Sequence, residues 1–360
     1  MTSWPNWPAS ADLPSWLPYW LWQTLCIFLV LQIPPGLVTI LVWAERRVSA
    51  WMQDRVGPNR VGPFGLLQSV ADLVKFIFKE DQVPGQVNRA LFFLAPAFAM
   101  VPGLVAFSLL PFAQRFRVSD LESGLLMLFA ISSLAVYGIQ IGGWASNSKY
   151  ALFGGVRASA QMISYELTLG LSAAVVVLFT GTLKLSAIVE WQASKDHLLL
   201  GFLPAWLVFV FPAGTFAFLV FITSAFAETN RLPFDMPEAE SELAAGYHTE
   251  YSSMKFALFF LGEYTAMVVM SGLMTTLFFG GWSLFGLENA FAGTIGQTVL
   301  QTGIWWAKTL FFLFVYIWIR WTLPRFRYDQ LMRLGWKVFL PLSLLNLLAA
   351  AGMKAWGVGG

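Results

Sequence analysis

Ligands for redox metals are nearly missing from this chain. Its 360 residues hold one cysteine, Cys26, and two histidines, His197 and His248. One thiol and two distant imidazoles cannot ligate an iron–sulfur cluster, a haem pair or a closed zinc site. No metal site is therefore expected, and any redox centre has to belong to a partner. Cys26 lies inside an apolar run and reads as a small core residue. Charge is scarce as well: Asp, Glu, Lys and Arg make up 12% of the chain, and the net charge is +2. That balance gives no electrostatic case for a nucleic-acid partner. No Lys or Arg precedes Arg46, so the basic region of a secretory signal is not expected. No Walker loop, dinucleotide fingerprint or nucleophile–base motif stands out. The Gly-Gly pairs at 142–143, 154–155 and 280–281 read as turns and packing rather than phosphate cradles.

What the chain has is apolar length. It is 57% hydrophobic and 16% aromatic, with 17 Trp. Several runs reach about 20 residues, the span a bilayer requires. The expectation is an all-α polytopic membrane protein, one membrane domain over 1–360, with about eight transmembrane helices. They are expected near 19–43, 89–112, 123–142, 158–180, 204–227, 254–280, 304–322 and 338–353. Pro34-Pro35 should kink the first. Residues 1–18 form a Trp- and Pro-rich extension, with Trp4, Trp7 and Trp16, suited to a membrane interface. The loops 44–88, 143–157, 228–253 and 323–337, with their edges, carry sixteen Lys and Arg. The opposite side carries five: Arg115, Arg117, Lys184, Lys195 and Lys354. The positive-inside rule places those four loops in the cytoplasm and both termini outside. Lys308, near the outer end of the seventh span, can snorkel.

Charge concentrates in one stretch, Glu228 to Tyr264: ETNRLPFDMPEAESELAAGYHTEYSSMKFALFFLGEY. It holds seven carboxylates against Arg231 and Lys255. An ordinary solvated acidic loop accounts for Glu238, Glu240 and Glu250. It does not account for Glu263, which lies well inside an apolar run, where ionisable groups are costly and usually functional. Asp235-x-x-Glu238 has the form of a capping box opening a short helix. On that helix Glu238 and Glu242 share a face, a like-charge pair suited to proton uptake. Glu166 is nine residues into the fourth span, as Glu263 is into the sixth. Two carboxylates at similar depth below one surface fit either a relay or structural partners for a hydroxyl or Lys.

Near the first span the chain reads Glu45-Arg46-Arg47, then Gln53-Asp54-Arg55-Val56-Gly57-Pro58-Asn59-Arg60-Val61-Gly62-Pro63. The Gly-Pro pairs impose an irregular, rigid backbone. Gln68, Asp72, Lys75 and Lys79 then form one polar stripe on a helix too short and charged to span. A surface-lying helix and a cavity wall both fit it. The last loop is Arg320-Trp321-Thr322-Leu323-Pro324-Arg325-Phe326-Arg327-Tyr328-Asp329-Gln330-Leu331-Met332, whose Arg325 and Arg327 could pair with the acidic loop or dock a partner.

These strings, together with the connection Gly142–Ala151, resemble the signature of the quinone-chamber membrane subunit of proton-pumping NADH:quinone oxidoreductase, respiratory complex I. In bacteria this is the H-type subunit, in mitochondria subunit 1. The likeness covers about residues 40–340 through five motifs. One departure is Ser69, where the family usually has Pro. The resemblance implies a quinone headgroup site near Arg46, Arg55, Asp72, Glu228 and Arg231. It implies a proton relay through Glu166, Glu238, Glu242, Glu263 and Tyr264, and partner docking through Arg60, Asp235, Arg325 and Arg327. Positive-inside charge alone also accounts for Arg47 and Arg60. No cofactor is expected on this chain. Quinone would be the substrate, with NADH, FMN and iron–sulfur clusters on partner subunits. The implied partners are peripheral-arm subunits carrying the terminal cluster and the quinone site, neighbouring membrane-arm subunits, and lipid. The implied location is the bacterial inner membrane, with both termini periplasmic. Two other readings are the related membrane subunit of an energy-converting hydrogenase and a stand-alone ion transporter. The fullness of the motifs argues against the first, and the lack of an internal inverted repeat against the second.

Overall fold

The computed structural model describes residues 18–194, 205–237, 244–287 and 294–356. Glu238, Glu240 and Glu242, and the helix expected to follow Asp235, lie outside the described residues. The described chain is helical, with no strand among these residues. The helices are α1 (Tyr19–Met52), α2 (Gln68–Phe78), α3 (Arg89–Ser108), α4 (Gly124–Ala145), α5 (Lys149–Thr180), α6 (Leu185–Ala193), α7 (Ala213–Glu228), α8 (Ser253–Phe278), α9 (Ile295–Thr322) and α10 (Tyr328–Ala355). Six of them, α3, α4, α5, α8, α9 and α10, are long and apolar enough to cross a bilayer, and α7 is a shorter apolar helix. The eight expected spans fall on these seven and on α1, so the all-α polytopic expectation holds.

Several boundaries differ from expectation; α9 and α10, for example, start at Ile295 and Tyr328 rather than near 304 and 338. α1 continues past 43 to Met52, carrying Glu45 and Arg46 on a helix rather than a loop. α5 starts at Lys149, so Glu166 is 17 residues, about 26 Å, from the helix start, whereas Glu263 is 10 residues, about 15 Å, into α8. The fifth span is shortened: α7 starts at Ala213 with Pro212 at its N-cap, where the missing N–H costs no helical hydrogen bond. α10 continues through a π-helical turn at Leu334–Phe339. There Tyr165 donates its hydroxyl to the Leu331 carbonyl at 2.9 Å. Gly335 is needed at that crossing, since a Cβ would sit 2.8 Å from Ser164 Oγ.

α8 is the most enclosed of the six long helices. It packs on α3 and α9, and α5 packs on α4, α7 and α10. Small residues let the backbones approach, as membrane helices require. A Cβ on Gly138 of α4 would lie 2.4 Å from Ala99 N, and one on Gly262 of α8 2.7 Å from Ala99 O. α3 is therefore gripped by both neighbours at one level.

The two ends of the bundle differ. At one end Arg117, Asp120, Glu122 and Lys184 tie the α3–α4 and α5–α6 connections together at 3.0–3.2 Å. Lys308 donates to the carbonyls of Phe279, Gly281 and Ser283. Those groups terminate α8, where carbonyls lack intrahelical partners and favour a cation. The other end gathers the C-termini of α1, α7 and α9 with α2, and it carries the site described below. With Cys26 replaced, single cysteine labels at the exposed Arg60 and Glu190 are expected to react from opposite sides of the membrane, Arg60 from the cytoplasm. Reaction from the same side would overturn this topology.

Candidate functional site

The site begins with the turn after α7. Asn230 adopts a left-handed φ of 52°, and the Arg231 N–H returns to the Phe226 carbonyl at 3.3 Å. This reversal drives Arg231 inward instead of into solvent. Gln161 of α5, fully buried, holds the turn: its Nε2 lies 2.8 Å from the Ala227 carbonyl and 2.7 Å from that of Phe234. On the other flank Phe234 stacks on Phe326, the Phe326 N–H donates to the Pro233 carbonyl at 3.1 Å, and Arg325 pairs with Asp235 at 2.7 Å. The loop is thus fixed from both sides by groups far away in sequence.

Arg231 is 3% exposed and is the centre of a charge network. Its Nε lies 2.6 Å from Glu263 of α8, and its Nη1 3.2 Å from Glu45 of α1. Tyr264 donates to Glu45 at 2.6 Å, and the Arg231 guanidinium lies 4.1 Å from the centre of the Tyr264 ring. Arg320 of α9 completes the network on Glu45. Two carboxylates and two guanidiniums balance, the condition under which buried charge is tolerated. Burial works against the Arg231 charge, but Glu263, Tyr264 and Glu45 more than offset it, placing its pKa above the ordinary guanidinium range.

Beside the network is an open cavity of about 760 Å³, bounded by α3, α4, α8 and the turn after α7. Both Glu263 and Glu228 line it, with small residues such as Gly103, Ala135, Gly262 and Ala266 making the room. Glu228 ends α7, is buried, and its Oε2 has no hydrogen-bond partner among the described residues. Leaving such an oxygen unpaired costs about 1–3 kcal/mol. Glu166 of α5 is half-buried and in electrostatic contact with Glu228. Depth along the sequence pairs Glu166 with Glu263. The fold instead places Glu263 against Arg231.

Arg46 lies outside this cluster and binds Asp72 of α2 at 2.6 Å. Gln68 and Asp72 of the polar stripe are partly buried, while Lys75, Lys79, Val70, Leu73, Val74 and Ile77 are exposed. Ser253 Oγ donates to the Phe76 carbonyl at 2.8 Å and ties the far end of α2 to α8. Arg55 is exposed and bonded to Gln53, so it does not join the cluster. Arg60 is exposed, and Arg327 pairs with its neighbour Asp329 at 3.4 Å. Sequence reasoning misses Glu45, Arg320 and Gln161. Glu45 is hidden in a charge triplet that reads as a loop, and Arg320 contributes there only to the orientation. Among the described residues no group of three or more His, Cys, Asp or Glu is placed to hold a metal ion.

A helical bundle with a charge-balanced network and two further carboxylates inside its apolar body defines a class: polytopic helical membrane proteins with ionisable side chains buried between their helices. A family model described as NADH dehydrogenase matches residues 24–351. The chain belongs to this family, as an H-type membrane subunit of NADH-quinone oxidoreductase, complex I. It is 48% identical over 346 residues to NADH-quinone oxidoreductase subunit 8 of Rhodothermus marinus, covering 94% of this chain and 98% of that one. It is 48% identical to the H-type NADH-quinone oxidoreductase subunit of Salinibacter ruber over 96% of this chain and 99% of that one. It is 50% identical to the second H-type subunit of Geobacter sulfurreducens over 89% of this chain and 93% of that one.

Proposed function

We propose that this chain walls the quinone chamber of a proton-translocating NADH-quinone oxidoreductase and links quinone reduction to proton movement through its buried carboxylates. The observation that carries this reading is the network Glu45–Arg231–Glu263–Arg320 set against a cavity that also holds Glu228. Reduction of a quinone consumes two electrons and two protons. The electrons come from clusters on peripheral-arm subunits fed by NADH and FMN, because this chain has too few thiols and imidazoles to hold such a centre. A buried negative charge created on quinone reduction is compensated by shifting protons among nearby carboxylates. Guanidinium–carboxylate pairs at 2.6–3.2 Å respond to such a change, because in a low dielectric each pair is strongly coupled to the others. Glu166, Glu228, Glu263 and Tyr264 form the relay, with Glu238 and Glu242 at its mouth. Arg46 and Asp72 hold α2 as the chamber's outer wall, with its apolar face to lipid, and Arg55 adds positive charge nearby. Arg60, Arg327 and the Asp235–Arg325 pair form the docking surface for the peripheral arm, and neighbouring membrane-arm subunits take up the relayed charge. The location is the bacterial inner membrane, with the docking surface cytoplasmic and both termini periplasmic. The names of the relatives favour quinone over the hydrogenase reading.

The test separates quinone reduction from the rest of the enzyme. Arg46→Ala is expected to lower NADH:quinone activity up to about fivefold, since the half-exposed Arg46–Asp72 pair that seats α2 is worth at most about 1 kcal/mol. NADH oxidation by a hydrophilic artificial acceptor should be retained. Equal loss of both activities in assembled enzyme would count against a local quinone role.

A further inference from the structure

Lys255 is used by nothing above, and its charge is badly placed for stability. It is the third residue of α8 and is 8% exposed. Burial penalises an ammonium. The first turn of a helix, the positive end of its dipole, penalises a cation again. An apolar side chain would fill the same place at lower cost. The charge nevertheless has a defined seat. Its Nζ lies 2.9 Å from Asp81 in the α2–α3 connection. It also lies 4.7 and 4.2 Å from the ring centres of Phe92 and Phe93 at the start of α3. The neighbours of Lys255 hold the same segment. Ser252 Oγ accepts the Gln82 N–H at 3.1 Å, Ser253 Oγ donates to the Phe76 carbonyl, and the Phe256 and Phe76 rings lie 5.9 Å apart. Ser253 makes its bond from a left-handed φ of 56°, a conformation that costs a non-glycine residue energy. A strained residue and a misplaced charge thus meet at one contact, between the exit of α2 and the first turn of α8. α2 packs on α1 and α8. Arg46–Asp72 fastens it to α1, next to Glu45. The Lys255 contact fastens it to α8, eight residues or about 12 Å before Glu263. α2 therefore bridges the two helices whose carboxylates share Arg231.

We propose that Lys255 is a positioning residue for quinone: paired with Asp81, it pins the end of α2 to α8 and so holds the chamber wall at the spacing that binds the substrate. The proposal rests on the reading of α2 as a chamber wall given under the proposed function. Lys255 touches no reacting atom. What the charge adds is a single seat. Apolar packing is non-directional, whereas an ammonium held over two rings and against a carboxylate has one preferred position. The Asp81 side chain is 40% exposed, so removing the ammonium leaves no buried counter-charge behind.

The experiment uses the assembled complex in membranes and compares Lys255→Met, Lys255→Arg, Asp81→Asn and Arg46→Ala. Assembly is read from the amount and thermal midpoint of intact complex. Function is read as kcat and KM for a short-chain quinone, beside NADH oxidation by a hydrophilic artificial acceptor. Lys255→Met keeps the length of the side chain and drops the charge. It is expected to assemble with a midpoint no lower than the parent's. It should raise the quinone KM about fivefold, the scale of one partly exposed ion pair, with kcat and the artificial-acceptor activity little changed. Lys255→Arg keeps the pair and should recover most of the affinity. Asp81→Asn should raise the KM in the same way, and the double Lys255→Met, Asp81→Asn no further than either alone. A parental KM in assembled Lys255→Met overturns the proposal. Loss of assembly in Lys255→Met makes the ammonium a folding contact and overturns it too. Additive KM effects in the double variant show that the two residues act separately, with the same result. Arg46→Ala releases the other fastening of α2. If it raises the KM while Lys255→Met does not, the positioning role alone is lost. If neither changes the KM, the reading of α2 as a chamber wall falls with it.

Discussion

Arg231→Met is expected to destabilise the subunit by about 3–5 kcal/mol, enough to remove most of the assembled complex from the membrane. The size follows from geometry. Arg231 is buried, bridges Glu263 at 2.6 Å and Glu45 at 3.2 Å, and covers the Tyr264 ring. Its removal leaves two carboxylates and one remaining guanidinium, Arg320, in the same apolar region. The excess negative charge falls on largely buried carboxylates, where solvent screens it poorly. Arg231→Lys should recover only part of the loss, because an ammonium cannot present the planar fork that reaches Glu45 and Glu263 together. The pair Arg231→Met with Glu263→Gln restores charge balance and is expected to recover a substantial part of the assembly lost in Arg231→Met alone. Strict additivity of the two single changes, measured as complex abundance and thermal midpoint, would show that the residues are not coupled and that no network exists between them.

The second large effect concerns activity rather than assembly. Glu228→Gln and Glu263→Gln keep side-chain volume, and each is expected to assemble. Coupled quinone reductase activity should nevertheless fall on the order of 10²-fold, the usual scale for removing a proton-transferring group. Glu166→Gln is expected to behave likewise through its contact with Glu228. Aspartate at the same positions keeps a titrating group and should be milder. A purely structural role predicts the reverse order, with glutamine tolerated and aspartate harmful. Normal pumping in all three glutamine variants would end the relay proposal. At Glu228 the expectation has a particular source: one of its oxygens is buried without a protein partner among the described residues, so a purely structural carboxylate there carries a cost with no return in hydrogen bonds.

How much of this is legible in the sequence depends on the range of the interaction concerned. Apolar runs of bilayer length are local facts, and α3, α4, α5, α8, α9 and α10 lie on the runs where the sequence puts them. Glu263 stands out because an acid inside such a run is costly wherever the helix sits. Tyr264 and Arg231 come with it through the family's motif, and the fold brings all three together. Boundaries are less legible. The charge triplet Glu45-Arg46-Arg47 looks like the end of a span, but α1 continues to Met52, because Glu45 finds partners inside the bundle, Arg46 pairs with Asp72 of α2, and nothing forces the helix to stop. Likewise the run before Glu228 looks long enough to span from 204, and Pro212 confines α7 to sixteen residues.

The sequence by itself determined the class: a helical membrane chain with almost no metal ligands and its few charges gathered into one acidic stretch and four basic loops. Composition and period settle that much, because burial in lipid and helix periodicity act over a turn or a span. Which carboxylate meets which guanidinium was decided only by the tertiary structure. Glu45 and Arg231 are 186 residues apart, and Glu45 and Arg320 are 275 apart. Glu263 looks like the partner of Glu166, yet Arg231 takes it. Charge pairing in a low dielectric falls steeply with distance and solvent access, and both are properties of how α1, α7, α8 and α9 converge, which no local pattern along the chain encodes.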